Sequence, residues 1–189
     1  MLNLEVRSDD KLGEKMISSY EVNLSMEQLG IAVIGCGYWG MNYVRVFSEL
    51  ADSRVVAACD RRVDRLQKVR RRFPGLAVTT SVADTLALNE VDAVVVCTEA
   101  TSHYQIVKDC LAAGRHVLVE KPMTTSGPAA EELIEQASSR GMTLMVGHTF
   151  LYNAGVRKVK DYVSHGDVGR VYYVYARHTN LGPIREDVN

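Results

Sequence analysis

The sequence predicts an α/β fold, a doubly wound parallel sheet, followed by the truncated start of an α+β open-sheet second domain. Three observations predict it. Between residues 29 and 150, strand-length apolar runs alternate six times with helical segments. The first run, Ile31 to Ile34, ends in Gly35-Cys-Gly37-Tyr38-Trp39-Gly40 and passes directly into a helical pattern. Asp60, twenty residues beyond Gly40, ends the second apolar run.

Residues 1–28 are polar and mixed, without sustained periodicity, and Met26 stands just before the first strand like a natural start. They are expected to be a disordered extension or an upstream translation. Residues 29–150 then form the alternating domain. Trp39 to Leu50 carries Tyr43, Val44, Val46, Phe47 and Leu50 at helical spacing. Arg54 to Cys59 is the second strand, and the charged helix from Val63 to Phe73 is stopped by Pro74-Gly75. A short strand at Ala77 to Thr79 leads to Ser81 and Asp84, which suit a cap.

Val91 to Cys97 is a nearly continuous β-branched run, as expected of a central strand covered on both faces. Thr101-Ser102 is expected to cap the next helix, which Gly114 closes. His116 to Val119 is the fifth strand, Ser126 to Arg140 a helix ended by Gly141, and Thr143 to Val146 the sixth strand. Short connections and strict alternation imply parallel strands with right-handed crossovers, and ligands outside their carboxyl ends.

From residue 151 the pattern changes. A helix from Asn153 to about Ser164 precedes RVYYVYARHTN, an aromatic and β-branched alternation expected to form a long, half-exposed strand. Alone, such a strand would present an unpaired edge. Residues 151–189 therefore read as the truncated start of a carboxyl-terminal domain for substrate and oligomerisation.

The glycine motif carries the chemistry. Gly35 lets the chain turn sharply, Gly37 lets a pyrophosphate approach the backbone, and Gly40 lets the helix lie close to the strand. The helix N-terminus adds unpaired N–H groups and partial positive charge. Placed between a buried strand and a helix, with Asp60 downstream, this is the pattern of a Rossmann dinucleotide site. The Asp60 carboxylate suits the two ribose hydroxyls of NAD and would repel a 2′-phosphate. Arg61 and Arg62 next to it keep NADP possible. The charge cluster Arg61-Arg62, Arg65, Lys68 and Arg70 to Arg72 reads either as a solvated helix face or, for its first arginines, as lying beside the adenosine ribose.

Bulk composition excludes other classes. A net charge of −1 gives no electrostatic footprint for nucleic acid or an anionic membrane. No apolar run approaches the roughly 20 residues of a membrane span. Four widely spaced cysteines form no CxxC pair. They imply buried thiols, a reducing cytoplasmic compartment and no metal site.

Further candidates sit after the later strands. Thr98, Glu99 and His103 are expected at the mouth of the cleft, lining the cofactor. Lys121, held between Glu120 and Pro122, is the catalytic candidate. Beside a positive nicotinamide ring and partly desolvated, it would help accept a proton from a sugar hydroxyl, or hydrogen-bond that hydroxyl while another base acts. His148, after the sixth strand, is similarly placed.

GCGYWG, Asp60, VVVCTEATSHYQI through CLAAGRHVLVEKP, and LMVGHTFLYNAGVRKVK together resemble the Gfo/Idh/MocA oxidoreductases. The resemblance runs from Gly30 to the end and is most specific at AGRHVLVEKP. Within that family the later segments look most like the 3-dehydrogenases of UDP-N-acetylglucosamine and its uronic acid, which serve surface-polysaccharide synthesis; inositol or a free sugar is the alternative substrate. The resemblance implies an NAD-dependent dehydrogenase acting on a sugar CH–OH group, and a homodimeric or homotetrameric parent. It implies that Gly35, Gly37 and Gly40 hold the pyrophosphate, Asp60 the ribose, and that Glu120 and Lys121 lie by the nicotinamide; Tyr38, Trp39 and Arg61 are further cofactor-binding candidates. Lys121, His148, Arg177, Asn180, Arg185 and Asn189 would face the substrate. Two departures stand out: Thr98-Glu99 replaces the family's usual Thr-Pro, and the catalytic histidine expected shortly after Asn189 is not in the sequence. As it stands, the chain is expected to bind cofactor better than it catalyses.

Overall fold

Strand β1 (Leu29–Ile34) runs through the middle of the molecule, and five of its six residues are buried. The structure, a computed structural model, describes residues 28–177 and residue 179. The extension through residue 27, and the candidates Asn180, Arg185 and Asn189, lie outside the described residues. After β1 come α1 (Tyr38–Glu49), β2 (Ser53–Cys59), α2 (Val63–Arg72), β3 (Ala77–Thr79) and the short α3 (Val82–Leu86). The second half continues with β4 (Ala93–Val96), α4 (Ala100–Ala112), β5 (His116–Val119), α5 (Gly127–Ser139) and β6 (Leu144–Val146). A 3-10 turn (Thr149–Tyr152) and α6 (Ala154–His165) follow.

The sheet order is β3-β2-β1-β4-β5-β6, and every pairing is parallel. The order reverses between β1 and β4, which makes the space above their carboxyl ends the place where a ligand fits in a doubly wound sheet. Alternate β1 residues feed two cores. Ala32 and Ile34 pack with Val107, Cys110 and Leu111 of α4 and with Leu133 and Ala137 of α5. Ile31 and Val33 pack with Val44 of α1, against which Tyr43 and Phe47 also lie. Each fully buried valine or leucine contributes on the order of 1.5–3 kcal/mol relative to exposure, so the strand between two helical layers anchors the domain.

Several boundaries differ from the sequence expectation. Regular pairing in β4 covers four residues, not Val91 to Cys97, although its ladder reaches further at both ends. Asp92 N–H donates to Gly30 O at 2.8 Å, and Cys97 N–H to Ile34 O at 2.7 Å. Helix α4 starts at Ala100 with Glu99 as its N-cap residue, so Thr101-Ser102 is not the cap. The Ser102 hydroxyl instead turns back within 2.8 Å of Thr98 Oγ1 and of Glu99 O. Ser81 does cap α3, accepting from Asp84 N–H at 3.1 Å, and Asn153 caps α6 by accepting from Val156 N–H at 3.1 Å.

The largest departure is the run after Gly169. Residues 171–177 form no strand, and Tyr172, Tyr173, Val174 and Tyr175 are exposed. A strand needs a neighbour to take its N–H and C=O groups, and no described strand runs beside this one. No helix among the described residues is long and apolar enough to cross a membrane.

Candidate dinucleotide site

Five loops converge on the carboxyl edge of the sheet. They are the glycine loop after β1, Asp60-Arg61 after β2, Thr98-Glu99 after β4, Glu120-Lys121 after β5 and Gly147-His148 after β6.

The three motif glycines are required for three different reasons. Gly35 has φ +94°, and a Cβ there would lie 2.6 Å from the Cys97 carbonyl group. A Cβ on Gly40 would lie 1.8 Å from Gly35 O, the close helix–strand approach the motif predicts. At Gly37 a Cβ would meet nothing nearer than the Arg65 guanidinium at 3.7 Å, which leaves the backbone open on that side. Gly37 is also the N-cap of α1, makes no side-chain cap bond, and no acidic residue occupies the first turn. Tyr38 and Trp39 stand exposed there with their rings edge to face. An open backbone at an uncapped helix start, with helix-dipole charge behind it, fits a pyrophosphate.

Asp60 is 5% exposed yet well satisfied. Its Oδ2 accepts from Cys36 N–H at 2.8 Å and from Arg65 Nη1 at 3.2 Å, and its Oδ1 accepts from Arg62 N–H at 2.8 Å. The acid thus braces the glycine loop from the end of β2. Arg61 donates to Glu99 Oε1 at 2.8 Å, and Arg62 pairs with Asp64. Glu99 holds φ −69°, the value a proline ring imposes. A proline would fit that φ, and the glutamate side chain adds a carboxylate.

His103 is a correction. Rather than lining the cofactor, it is 1% exposed beneath the cleft. Its Nδ1 lies 2.8 Å from Pro122 O and its Nε2 3.0 Å from Thr98 O. A neutral ring donates to one carbonyl and a doubly protonated ring to both. Donation to Pro122 O fastens the first turn of α4 to the loop after β5, which contains the cis Lys121-Pro122 bond.

Lys121 is exposed, so the described residues do not supply the partial desolvation expected for it. Its neighbour Glu120 is fixed: Tyr43 donates to Glu120 Oε1 at 2.9 Å, and Lys121 N–H donates to Oε2 at 3.3 Å. Burial, then donation to this carboxylate, pushes the Tyr43 phenol above its usual range. Gly147 leaves room for the pair, since a Cβ there would lie 3.2 Å from Glu120 Oε1 and 3.4 Å from Tyr43 Oη. His148, next in sequence, is exposed, and so is Arg177 in the segment after Gly169. Tyr43 and Arg65 escape the sequence reading: one counts there as helix apolar face, the other as a solvated cation. The only available signal is Arg65's position in the first turn after Asp60. Among the described residues no group of three or more His, Cys, Asp and Glu is arranged for a metal ion.

Residues 29–148 match the family model described as "Oxidoreductase family, NAD-binding Rossmann fold", GFO_IDH_MocA. An inositol 2-dehydrogenase of Rhodococcus erythropolis is 31% identical over 82% of this chain and 45% of its own length. KijD10, a 3-ketoreductase from Actinomadura kijaniata solved with TDP-benzene and NADP in an open conformation, superposes with a TM-score of 0.68 at 34% identity. That match covers 74% of this chain and 44% of KijD10. GenD2 from gentamicin A biosynthesis, solved with NAD, gives a TM-score of 0.71 at 33% identity, covering 75% of this chain and 40% of GenD2. The chain spans about half the length of the curated relatives it matches. The fold, the glycine cradle and the family model agree: this chain belongs to the Gfo/Idh/MocA oxidoreductase family and contains its NAD-binding Rossmann domain.

Proposed function

We propose that this chain is the cofactor-binding part of an NAD-dependent dehydrogenase that oxidises a secondary hydroxyl on a sugar ring. Its finer form is oxidation of the 3-hydroxyl of a UDP-linked N-acetylated sugar or sugar acid, for surface-polysaccharide synthesis. The observation that carries the reading is the convergence of the glycine loop, Asp60 and Glu120-Lys121 on one edge of the sheet. NAD supplies the hydride acceptor. Gly37 and the start of α1 bind the pyrophosphate, and Asp60 accepts from the ribose hydroxyls while keeping its bond to the glycine loop. Glu120, oriented by Tyr43, fixes the loop from which Lys121 reaches the substrate hydroxyl to orient it and take part in moving its proton. His148 and Arg177, with Asn180, Arg185 and Asn189, belong on the substrate side.

Relatives named as an inositol 2-dehydrogenase and a 3-ketoreductase support a ring carbinol or ketone as the reacting group. The former also favours a second reading, in which inositol or a free sugar is the substrate. The apolar residues Val156, Val159, Tyr162 and Val163 of α6 stand exposed, which supports residues 151–189 as the beginning of a substrate and oligomerisation domain. Nicotinamide reduction by a full-length version of the enzyme, followed by near-ultraviolet absorbance with UDP-N-acetylglucosamine, its uronic acid and myo-inositol, tests the reading. Turnover of a UDP-sugar upholds the finer form, turnover of inositol alone replaces it with the second reading, and oxidation of none of these polyols rejects both.

A further inference from the structure

Arg61 and Glu99 belong to loops on opposite sides of the glycine loop. Arg61 follows β2 and Glu99 follows β4, and both strands flank β1. Adjacent strands lie about 4.8 Å apart, so the two residues start roughly 10 Å from each other across the carboxyl end of β1. Their side chains nevertheless meet at 2.8 Å. The pair therefore links the loops on either side of the glycine loop. The other guanidiniums around the adenosine end are also engaged, Arg62 with Asp64 and Arg65 with Asp60. Arg61 alone is held by an acid from across the cleft.

We propose that Glu99 sets the preference for NAD over NADP by holding Arg61 across the glycine loop. The inference rests on the dinucleotide reading above. A 2′-phosphate next to Asp60 needs a cation, and Arg61 is the adjacent one. To serve it, Arg61 must leave Glu99, which then faces the phosphates as an uncompensated carboxylate. NAD makes no such demand, so Arg61 stays with Glu99 and neutralises it. At φ −69° the backbone at Glu99 would accept a proline, so the carboxylate is not required by the turn.

The experiment is calorimetric titration of the protein with NAD and with NADP, for wild type, Glu99→Gln, Arg61→Ala and the double variant. Glu99→Ala serves as a second way of removing the charge. The salt-bridging side chains are 78% and 36% exposed, so folding, followed by circular dichroism, should be unaffected. Glu99→Gln should move the NADP-to-NAD affinity ratio toward NADP by about 2- to 5-fold, the range an exposed ion pair supports. In the Arg61→Ala background the same change should leave the ratio where it was. A ratio unmoved by Glu99→Gln, or moved equally without Arg61, overturns the proposal while leaving NAD binding intact. A wild-type protein that binds neither nucleotide overturns the dinucleotide reading and this proposal with it.

Discussion

Asp60 Oδ2 accepts the Cys36 backbone N–H at 2.8 Å, so the acid at the end of β2 is part of the glycine loop as well as its neighbour. Asp60→Ala should therefore have two effects. Loss of a buried, charge-assisted acceptor should lower stability by about 1–3 kcal/mol, read by urea unfolding. NAD affinity should also fall, read by calorimetry on folded protein. A variant with native stability would show that the loop does not depend on this carboxylate.

The three motif glycines should separate by experiment. Gly35→Ala and Gly40→Ala place a methyl group 2.6 Å and 1.8 Å from backbone atoms, so both should lower the thermal midpoint. Gly37→Ala meets only the Arg65 side chain at 3.7 Å. It should keep native stability and weaken NAD binding. Equal destabilisation by all three would contradict the distinct roles assigned to them.

His103→Ala removes a ring buried between Thr98 O and Pro122 O. A cost of about 2–5 kcal/mol is expected for emptying such a site and removing its N–H donor. Because His103 is a positioning residue, hydrogen exchange should also rise at the loops after β4 and β5. Protection unchanged in both loops would mean that His103 does not couple them.

Buried thiols predict the alkaline limit. Burial, then the charge of Asp60, pushes Cys36 up from 9.0 to about 12. Burial, then the charge of Asp109, does the same for Cys110, and Cys97 moves in the same direction through burial and Glu120. Each folded value is raised, so the stabilisation is complete below the unfolded value near 9.0 and is lost as pH rises toward 12. In that window the unfolded chain releases protons that the folded chain keeps. Each thiol should steepen the fall by about 1.4 kcal/mol per pH unit, checked by urea unfolding between these limits. Cys36→Ser should reduce the slope, and a slope unchanged by it would contradict the assignment.

The sheet and its ligand edge are legible in the sequence because one physical pattern marks both. Strands covered on two faces read as β-branched runs, and Gly35 and Gly40 stand where only backbone fits. The side-chain bridges are not legible, because residues 19 to 77 positions apart in sequence make them. Arg61 finds Glu99, His103 finds Pro122 and Tyr43 finds Glu120 only once strand order brings their loops together. His103 reads as a ligand residue because a histidine in a first helical turn at the cleft mouth suggests one, whereas the fold turns its ring inward. The aromatic alternation after Gly169 reads as a strand because side-chain period alone is visible there, and the hydrogen-bonding neighbour is a tertiary matter.

The most direct test is a backbone-amide NMR titration of the protein with NAD. The account predicts shift changes concentrated at Gly37 to Trp39, Asp60 to Arg61, Thr98 to Glu99 and Glu120 to Lys121, with α5 unaffected. Absence of any change, or changes confined to surfaces away from the carboxyl ends of β1, β2 and β4, would contradict it.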